Sequence, residues 1–369
     1  MKKVIVVGGG LAGLISAYSL ARKNVEVILV EKKQYPFHRV CGEYISNETI
    51  PFLKSLDLFP AHFQPPHIDQ LQLTSVSGRE AIIALDLGGF GISRYAFDHF
   101  IYQKCVEAGV QCYVNTEVES IHFEKDQFEV KTKDHTWSAE VVIGSFGKRS
   151  KLDVHLQRGF VKKRSPYVGV KYHIRTEHPA HRISLHNFKD GYCGISNVEE
   201  GKSTLCYLTH RSNVKRHGNL PEMERTVLFR NPYLKKIFTE SEFLWDRPEV
   251  INEISFATKA PVENHVLMCG DAAGMITPLC GNGMAIAIHA SKILSECVAD
   301  FCHERISRQQ MEATYRQQWN ALFSKRLWAG RQIQQLFGSE WTSNLAVDMA
   351  RYAKPLAHVL VKSTHGQPF

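Results

Sequence analysis

Near the N-terminus, short runs of β-branched residues flank a segment whose apolar residues have helical spacing. Val4 to Val7 is a short β-branched run that enters glycines, and Leu11 to Arg22 has apolar residues at helical spacing. Val25 to Val30 is a second β-branched run. Short β-branched runs predict buried strands, and a helical repeat between them predicts a crossover helix. The N-terminal segment is therefore expected to form one βαβ unit.

Further along the chain the pattern changes to strands and then to helices. Residues 68–87 predict a pair of strands, and residues 121–143 predict a β-ribbon around a polar turn. Alternating apolar positions between residues 161 and 254 indicate a sheet-rich insert. From Val266 the apolar strand and glycine signals return, and residues 306–361 are expected to be mostly helical.

Composition narrows the class of protein. The chain has 369 residues, 44% of them hydrophobic, so we expect two joined domains around a large core. A net charge of +8 suits an acidic cofactor, an anionic substrate or a membrane surface, but no basic run with interleaved aromatics supports nucleic-acid binding. The nine scattered cysteines and the histidine spacing indicate neither disulfides nor a metal site. No apolar stretch has the length of a membrane span. We expect a cytoplasmic protein, with a peripheral position at the membrane as the alternative.

A glycine-rich turn follows the first predicted strand. Its glycines stand at the G-x-G-x-x-G positions, and the helix that opens there offers unpaired N–H groups to a diphosphate. An acidic residue closes the second strand, where its carboxylate can accept the ribose hydroxyls. The residues expected to bind a dinucleotide in this unit are Gly8, Gly10, Leu11, Ala12, Gly13, Glu31 and Lys32.

A second motif, far along the chain, distinguishes FAD from NAD. Met268 to Gly274 follows an apolar strand and contains a Gly-Asp pair, and Pro278 to Met284 is a glycine-rich turn that enters a helix. With both motifs in this order, the chain resembles the FAD-dependent monooxygenases and geranylgeranyl-reductase-like enzymes of the p-hydroxybenzoate hydroxylase fold. The resemblance implies that the Asp binds the ribitol chain and that backbone N–H groups of the turn meet the flavin ring. The residues given these roles are Gly270, Asp271, Gly281, Asn282, Gly283 and Met284.

Shorter matches add further residues to the implied cofactor site. Arg94 resembles the family's arginine near the diphosphate, and Val118 resembles the strand end whose backbone meets the adenine. Arg39 is a candidate partner of a phosphate. Cys41 and Glu43 follow it in a tract that passes close to the flavin in geranylgeranyl-reductase-like proteins, and both are candidate catalytic acids. An inert buried thiol is the commoner role for such a cysteine.

The resemblance implies an α/β fold with three parts. These are a Rossmann-like FAD-binding domain with a three-stranded β-ribbon insert, a mostly antiparallel β-sheet substrate domain, and a helical C-terminal tail. The expected boundaries are 1–72, 92–155 and 255–300 for the FAD-binding domain, 73–91 and 156–254 for the substrate domain, and 301–369 for the tail.

One position departs from the family's pattern and leaves the electron donor open. Monooxygenases of this group commonly carry an Asp-Gly pair after the strand that ends here at Ile143, whereas this chain has Phe146 in place of the acid. In the family that acid is tied to both flavin and nicotinamide binding. The electron donor is therefore either NAD(P)H or an electron-transfer partner, such as an external reductase or a ferredoxin.

The reaction also has alternatives. The first hypothesis is a monooxygenase that hydroxylates an apolar or aromatic molecule, such as an alkyl-chain polyketide or an isoprenoid, through a flavin peroxide. The second is an ene reductase that saturates isoprenoid double bonds, with Cys41 or Glu43 as the acid. A halogenase ranks lower because the chain has no W-x-W-x-I-P tract. A non-catalytic flavin-binding protein is the alternative from a different class.

Substrate contacts are expected from the insert and the tail. Tyr192 and Cys193 stand where family members bring a strand over the flavin, although both could equally be ordinary sheet residues. Pro278 begins the glycine-rich turn of residues 278–284, which we call the flavin turn because the resemblance implies that it meets the flavin. An aromatic-rich tail that caps an apolar channel, together with the positive charge, predicts a lipid-like substrate drawn from a membrane surface. The candidate core-facing residues of the tail are Trp319, Leu322, Trp328 and Ile333.

Overall fold

The computed structural model describes residues 2–162, 165–334, 337 and 339–369. Small parts of the predicted substrate domain and tail, residues 163–164, 335–336 and 338, lie outside the described residues. In chain order the strands are β1 (Lys3–Val7), β2 (Glu26–Val30), β3 (Tyr44–Ser46), β4 (His67–Thr74), β5 (Glu80–Gly91), β6 (Gln111–Tyr113), β7 (Val118–Glu124), β8 (Gln127–Thr132), β9 (Thr136–Ala139), β10 (Val141–Gly144), β11 (Tyr167–Arg175), β12 (Arg182–Phe188), β13 (Gly191–Asn197), β14 (Ser203–His210), β15 (Glu242–Phe243), β16 (Glu249–Asn252), β17 (Val262–Glu263) and β18 (Val266–Met268).

Helices lie between many of the strands and form the C-terminal part of the chain. The α-helices are α1 (Leu11–Ala21), α2 (Ile50–Ser55), α3 (Arg94–Glu107), α4 (Lys151–His155), α5 (Arg211–His217), α6 (Leu220–Val227), α7 (Pro232–Glu240), α8 (Gly283–Cys302), α9 (Arg308–Gln334), α10 (Glu340–Tyr352) and α11 (Lys354–Thr364).

The first sheet has six strands in the order β17-β18-β10-β1-β2-β6. All of its pairs are parallel except β17 with β18. β1, β2 and β10 are almost wholly buried, as expected for parallel strands with both faces covered. α1 is apolar nearly all round and is enclosed by the sheet, α3 and α8. The predicted βαβ unit is therefore confirmed.

An antiparallel ribbon joins β6 to β10. It consists of β7, β8 and β9 and makes a separate three-stranded sheet. This element is the predicted β-ribbon insert of the α/β fold.

The second sheet has nine strands in the order β15-β11-β14-β13-β12-β4-β5-β3, with β16 also paired to β11. Only β4 with β12 is parallel among its pairs, so the sheet is mostly antiparallel. One face packs under α5, α6 and α7, and the other faces the flavin turn and the tail. β3 and all of β4 belong to this sheet, so the predicted division at residue 72 cuts through a strand.

The described residues of the tail form three helices. α9 packs along α8, and α10 and α11 lie over β4 and β5. Trp319 is buried and Ile333 is half-buried, but Leu322 and Trp328 are exposed, so their expected core positions are wrong. Helical spacing groups residues on a face without specifying which face meets the core. No helix in the described residues combines the length and apolar character needed to cross a bilayer.

Candidate functional site

The turn between β1 and α1 is built on close backbone contacts. Gly8 has φ of +102°, and a Cβ added there would lie 2.5 Å from the carbonyl oxygen of Ser145. A Cβ at Gly13 would lie 2.0 Å from the carbonyl oxygen of Gly8. Ser145 Oγ donates a hydrogen bond of 2.6 Å to that same carbonyl. Both glycines are therefore required for the helix to start against the strand ends.

Two helix N-termini at this site have no capping side chain. α1 begins after Gly10 and α8 begins after Asn282, and neither has a side-chain cap or an acidic residue in its first turn. Such ends leave backbone N–H groups and the positive end of the helix dipole open to a ligand. Most of the other helices are capped by a side chain, from Ser93, Ser150, His210, Asn219, Asn231 and Ser339.

Two arginines lie beside the glycine turn. Arg94 makes two hydrogen bonds of 2.6 and 2.7 Å to Asp98. Arg39 contacts the same carboxylate at 3.1 Å, Glu31 at 3.3 Å and the carbonyl of Gly9 at 3.3 Å. The Arg94 side chain is largely buried, unlike that of an exposed surface ion pair. The cluster places guanidinium groups where a diphosphate would approach.

Glu31 anchors the second strand of the unit to the turn. Its buried carboxylate accepts the N–H of Gly9 at 2.7 Å, and its carbonyl accepts the N–H of Thr116 at 3.0 Å. The contact with Thr116 places the segment just before β7, which begins at Val118, next to Glu31. Lys32, in contrast, has an exposed side chain.

The C-terminal motif meets the N-terminal one. A Cβ at Gly270 would lie 2.9 Å from that of Ala12, the second residue of α1. Lys259 Nζ donates to the carbonyl of Asp271 at 2.7 Å, and burial lowers the pKa of Lys259 to about 8. Burial raises the pKa of the Asp271 carboxyl, and the positive charge of Lys259, together with Arg94 beyond it, opposes that rise. Residues from both ends of the chain thus surround one polar site.

The flavin turn is held by the tail and by β3. Pro278–Cys280 form a single helical turn, and Gly281 follows with φ of +65°. Asn282 is buried, and its side-chain amide donates to the carbonyl of Thr364 at 2.7 Å. A Cβ at Gly281 would lie 3.2 Å from the ring of Tyr44. Gly283 and Met284 begin α8, so their N–H groups belong to its open first turn.

Glu43 is enclosed by polar partners from distant parts of the chain. It is fully buried, contacts Lys171 Nζ, lies 2.7 Å from His173 Nε2, and accepts the backbone N–H of Arg94 at 2.8 Å. Burial raises the pKa of this carboxyl, but Lys171 and His173 outweigh that effect and lower the pKa to about 2. Glu43 is therefore held ionised, which corrects its candidate role as a catalytic acid.

Cys41 has a different environment. Burial raises the pKa of its thiol, so the sulfur is protonated at neutral pH. The thiol accepts the backbone N–H of Glu43 at 3.5 Å. A neutral thiol on a half-buried residue is compatible with either an inert role or proton donation.

An apolar cavity ends at the flavin turn. It lies between β4, β5 and β12 on one side and α10 and α11 on the other, and reaches Leu279–Gly281. Polar side chains are few, and among them the Tyr44 hydroxyl is buried and has no hydrogen-bond partner among the described residues. The apolar lining includes Leu71, Leu73, Ile83, Leu85, Ile183, Leu185, Ile333, Phe337, Ala346, Met349, Ala350, Leu360 and Val361.

The predicted pocket residues separate in the structure. Tyr192 is buried and packs with Met275 and Leu279. Cys193 lies on the opposite face of β13, in the core under α5–α7, so its assignment to the pocket is wrong. Successive strand residues face opposite ways, and only one of the two can face the turn. Pro278 is exposed at the start of the turn and is not among the residues lining the cavity.

Several site residues escaped sequence reasoning. Asp98 links Arg39 with Arg94, and Lys171 and His173 hold Glu43. Their positions on a helix and on β11 carry no local signal, because the contacts join segments far apart in sequence. Tyr44 is different, since it directly follows the noted Cys-Gly-Glu tract.

Comparison with known proteins identifies the class. Residues 1–322 match the family model described as "FAD binding domain", and the chain belongs to this family. It is therefore an FAD-dependent oxidoreductase, as the sequence predicted. A digeranylgeranylglycerophospholipid reductase of Methanosarcina acetivorans is 24% identical over 345 residues, covering 86% of this chain and 80% of the relative.

Solved structures share the fold. A geranylgeranyl bacteriochlorophyll reductase-like protein of Thermoplasma acidophilum has a TM-score of 0.79 at 17% identity, covering 98% of this chain and 95% of that one. The flavin-dependent brominase Bmp2 has a TM-score of 0.78 at 16% identity, covering 98% and 93%. PqsL, a probable FAD-dependent monooxygenase of Pseudomonas aeruginosa, has a TM-score of 0.75 at 16% identity, covering 93% and 98%. The α/β fold class is thus confirmed, while the activities in these names differ.

Proposed function

We propose that the chain is a flavin-dependent monooxygenase that hydroxylates an apolar small molecule. The observation that carries the proposal is the apolar cavity that ends at Leu279–Gly281, beside the open N-terminus of α8. Ligand sites are typically concave and mostly apolar, with few polar groups that orient the ligand. Here the buried hydroxyl of Tyr44 supplies such a group.

The cofactor residues in this proposal come from both motifs. The N–H groups of α1, with Arg39 and Arg94, would hold the diphosphate, Glu31 the ribose, and Asp271 the ribitol chain. The first turn of α8 would face the flavin ring. Once bound and reduced, FAD supplies the activation of molecular oxygen.

Two features favour hydroxylation over reduction of a double bond. The cavity lining is mostly apolar, which suits a reaction whose oxygenating species is lost when water enters. Glu43 is held as a carboxylate by Lys171 and His173, so it cannot provide the proton that an ene reduction needs. The chain's own residues would then bind and orient the substrate rather than deliver a proton.

Ene reduction of an isoprenoid chain is the second candidate. It is supported by the similarity to a lipid reductase over most of the chain and by the length of apolar lining. The neutral thiol of Cys41 and the buried hydroxyls of Tyr44 and Tyr192 are its candidate proton donors.

Product masses distinguish the two reactions. We would incubate FAD-loaded protein with para-dodecylphenol or geranylgeranyl phosphate under heavy-isotope O₂, with NADH, NADPH or a ferredoxin system as separate donors. The proposal expects the phenol to gain one labelled oxygen atom. A gain of two hydrogen atoms by the isoprenoid, with the phenol unchanged, would establish the reductase instead. The donor that supports turnover also identifies the electron source.

A further inference from the structure

The tail carries most of the exposed apolar surface of the protein. Six of the eleven exposed large apolar side chains in the described part of the chain lie between residues 322 and 359. On α10, Trp341 is 74% exposed, Leu345 50% and Tyr352 77%. Large exposed apolar groups concentrated in one region indicate an interaction surface.

These three side chains share one side of α10. Trp341, Leu345 and Tyr352 are separated by four and seven residues, spacings that return to the same side of a helix. We call them the α10 stripe. Ala346 and Ala350 of the same helix line the apolar cavity. The width of one helix therefore separates the cavity from the exposed stripe.

Charge distinguishes among the partners that could cover the stripe. Residues 301–369 contain nine Lys and Arg against four Asp and Glu, so this segment holds five of the eight net positive charges. Arg351 and Lys362 are exposed on α10 and α11. A second copy of the chain would bring like charges together, whereas an anionic lipid surface would attract them. Trp and Tyr also suit an interface, with the ring in the apolar layer and the polar atom near water.

We propose that the α10 stripe docks the protein on an anionic lipid membrane, and that apolar substrate passes from the bilayer to the cavity beneath α10. The substrate route rests on the proposed function, but docking itself requires no turnover. Docking can therefore be measured without substrate, separately from the conversion of para-dodecylphenol in detergent.

Vesicle sedimentation tests the docking surface. The FAD-loaded full chain would be mixed with vesicles of phosphatidylcholine alone, or of equal parts phosphatidylcholine and phosphatidylglycerol. The test variant carries Trp341→Ser, Leu345→Ser and Tyr352→Ser. Its control carries Val106→Ser and Val154→Ser, which remove exposed apolar side chains outside the tail. Flavin absorbance and thermal unfolding verify that both variants are folded and loaded.

The proposal expects the wild type and the control to bind the anionic vesicles, more weakly at high salt, and the stripe variant to bind about tenfold less tightly or worse. Equal binding by the stripe variant would overturn it. So would an absence of wild-type binding. A wild-type dimer in light scattering that the stripe variant converts to a monomer would assign the surface to a second copy instead.

Discussion

Glu43 illustrates how distant partners decide the chemistry of a residue. Its position beside Cys41 suggests an acid, but Lys171 and His173, on β11, turn it into a buried anion. Nothing local to residue 43 predicts these partners, because they arrive through the packing of the second sheet. The glycine positions of the β1–α1 turn, by contrast, were predictable, since a local backbone requirement fixes them.

Titration of Glu43 gives a pH dependence of stability. Its pKa falls from 4.5 to about 2 in the folded protein. A carboxyl with a depressed pKa contributes stability that is present above the unfolded pKa and is lost as the pH falls towards the folded one. We therefore expect the free energy of unfolding of the wild type to decrease between about pH 5 and pH 3 more steeply than that of Glu43→Gln.

Urea unfolding of both proteins across this range measures the difference. Glu43→Gln should also lower the free energy of unfolding at neutral pH, by about 3–5 kcal/mol, because Lys171 loses its buried counter-ion. Glu240→Gln, at an exposed helix end, is the control. Identical pH slopes for the wild type and Glu43→Gln would contradict the assignment of an ionised carboxylate.

Two buried tyrosines provide a matched pair. The Tyr35 hydroxyl donates to the carbonyl of Gly9 at 2.5 Å, whereas the Tyr44 hydroxyl has no partner within the part of the chain that the structure describes. Tyr35→Phe should lower the free energy of unfolding by about 1 kcal/mol, and Tyr44→Phe should leave it within a few tenths. If the Tyr44 hydroxyl binds substrate oxygen, Tyr44→Phe should raise the KM for para-dodecylphenol while FAD retention stays unchanged. Denaturation and steady-state kinetics test both statements, and a large stability loss in Tyr44→Phe would contradict the absence of a partner.

At the scale of elements, hydrophobic periodicity predicts which segments become strands and helices but not how they face one another. Local sequence patterns predict β1, α1, β2 and the β-ribbon, because the spacing of apolar residues in each segment matches the residues that it buries. Leu322 and Trp328 were misplaced since α9 has apolar residues on more than one side. Cys193 was misplaced for a related reason: strand alternation leaves open which face of β13 meets the flavin turn.

The open N-terminus of α8 leads to a redox prediction. An acidic residue at a helix N-cap ordinarily stabilises the helix. At position 282, however, its negative charge would lie close to the negative charge that we expect on the reduced flavin. Asn282→Asp should therefore lower the flavin reduction potential, on the order of tens of millivolts. Asn219→Asp, at the cap of α6, should leave it unchanged. Anaerobic dye-coupled titration measures the potential, and equal values for all three proteins would remove α8 from the flavin site.

At the scale of the whole molecule, the site depends on residues from both ends of the chain. Glu31→Ala and Asp271→Ala should each weaken FAD binding by about tenfold or more, because each removes a charged hydrogen-bond acceptor of the proposed site. Glu240→Ala is the control. Flavin fluorescence after gel filtration measures retention. Full retention in both test variants would show that the two motifs do not hold one cofactor.

If the apolar cavity delivers substrate to the bound flavin, filling the cavity should abolish the spectral response of the flavin to substrate. Ala350 is buried on α10 and lines the cavity, so Ala350→Trp should fill it without touching the cofactor residues. Adding para-dodecylphenol to the FAD-loaded wild type should perturb the flavin absorption spectrum. Ala350→Trp should abolish that change while keeping FAD, whereas exposed Val154→Trp should preserve it. An equal spectral change in Ala350→Trp, or none in the wild type, would show that substrate does not reach the flavin through this cavity.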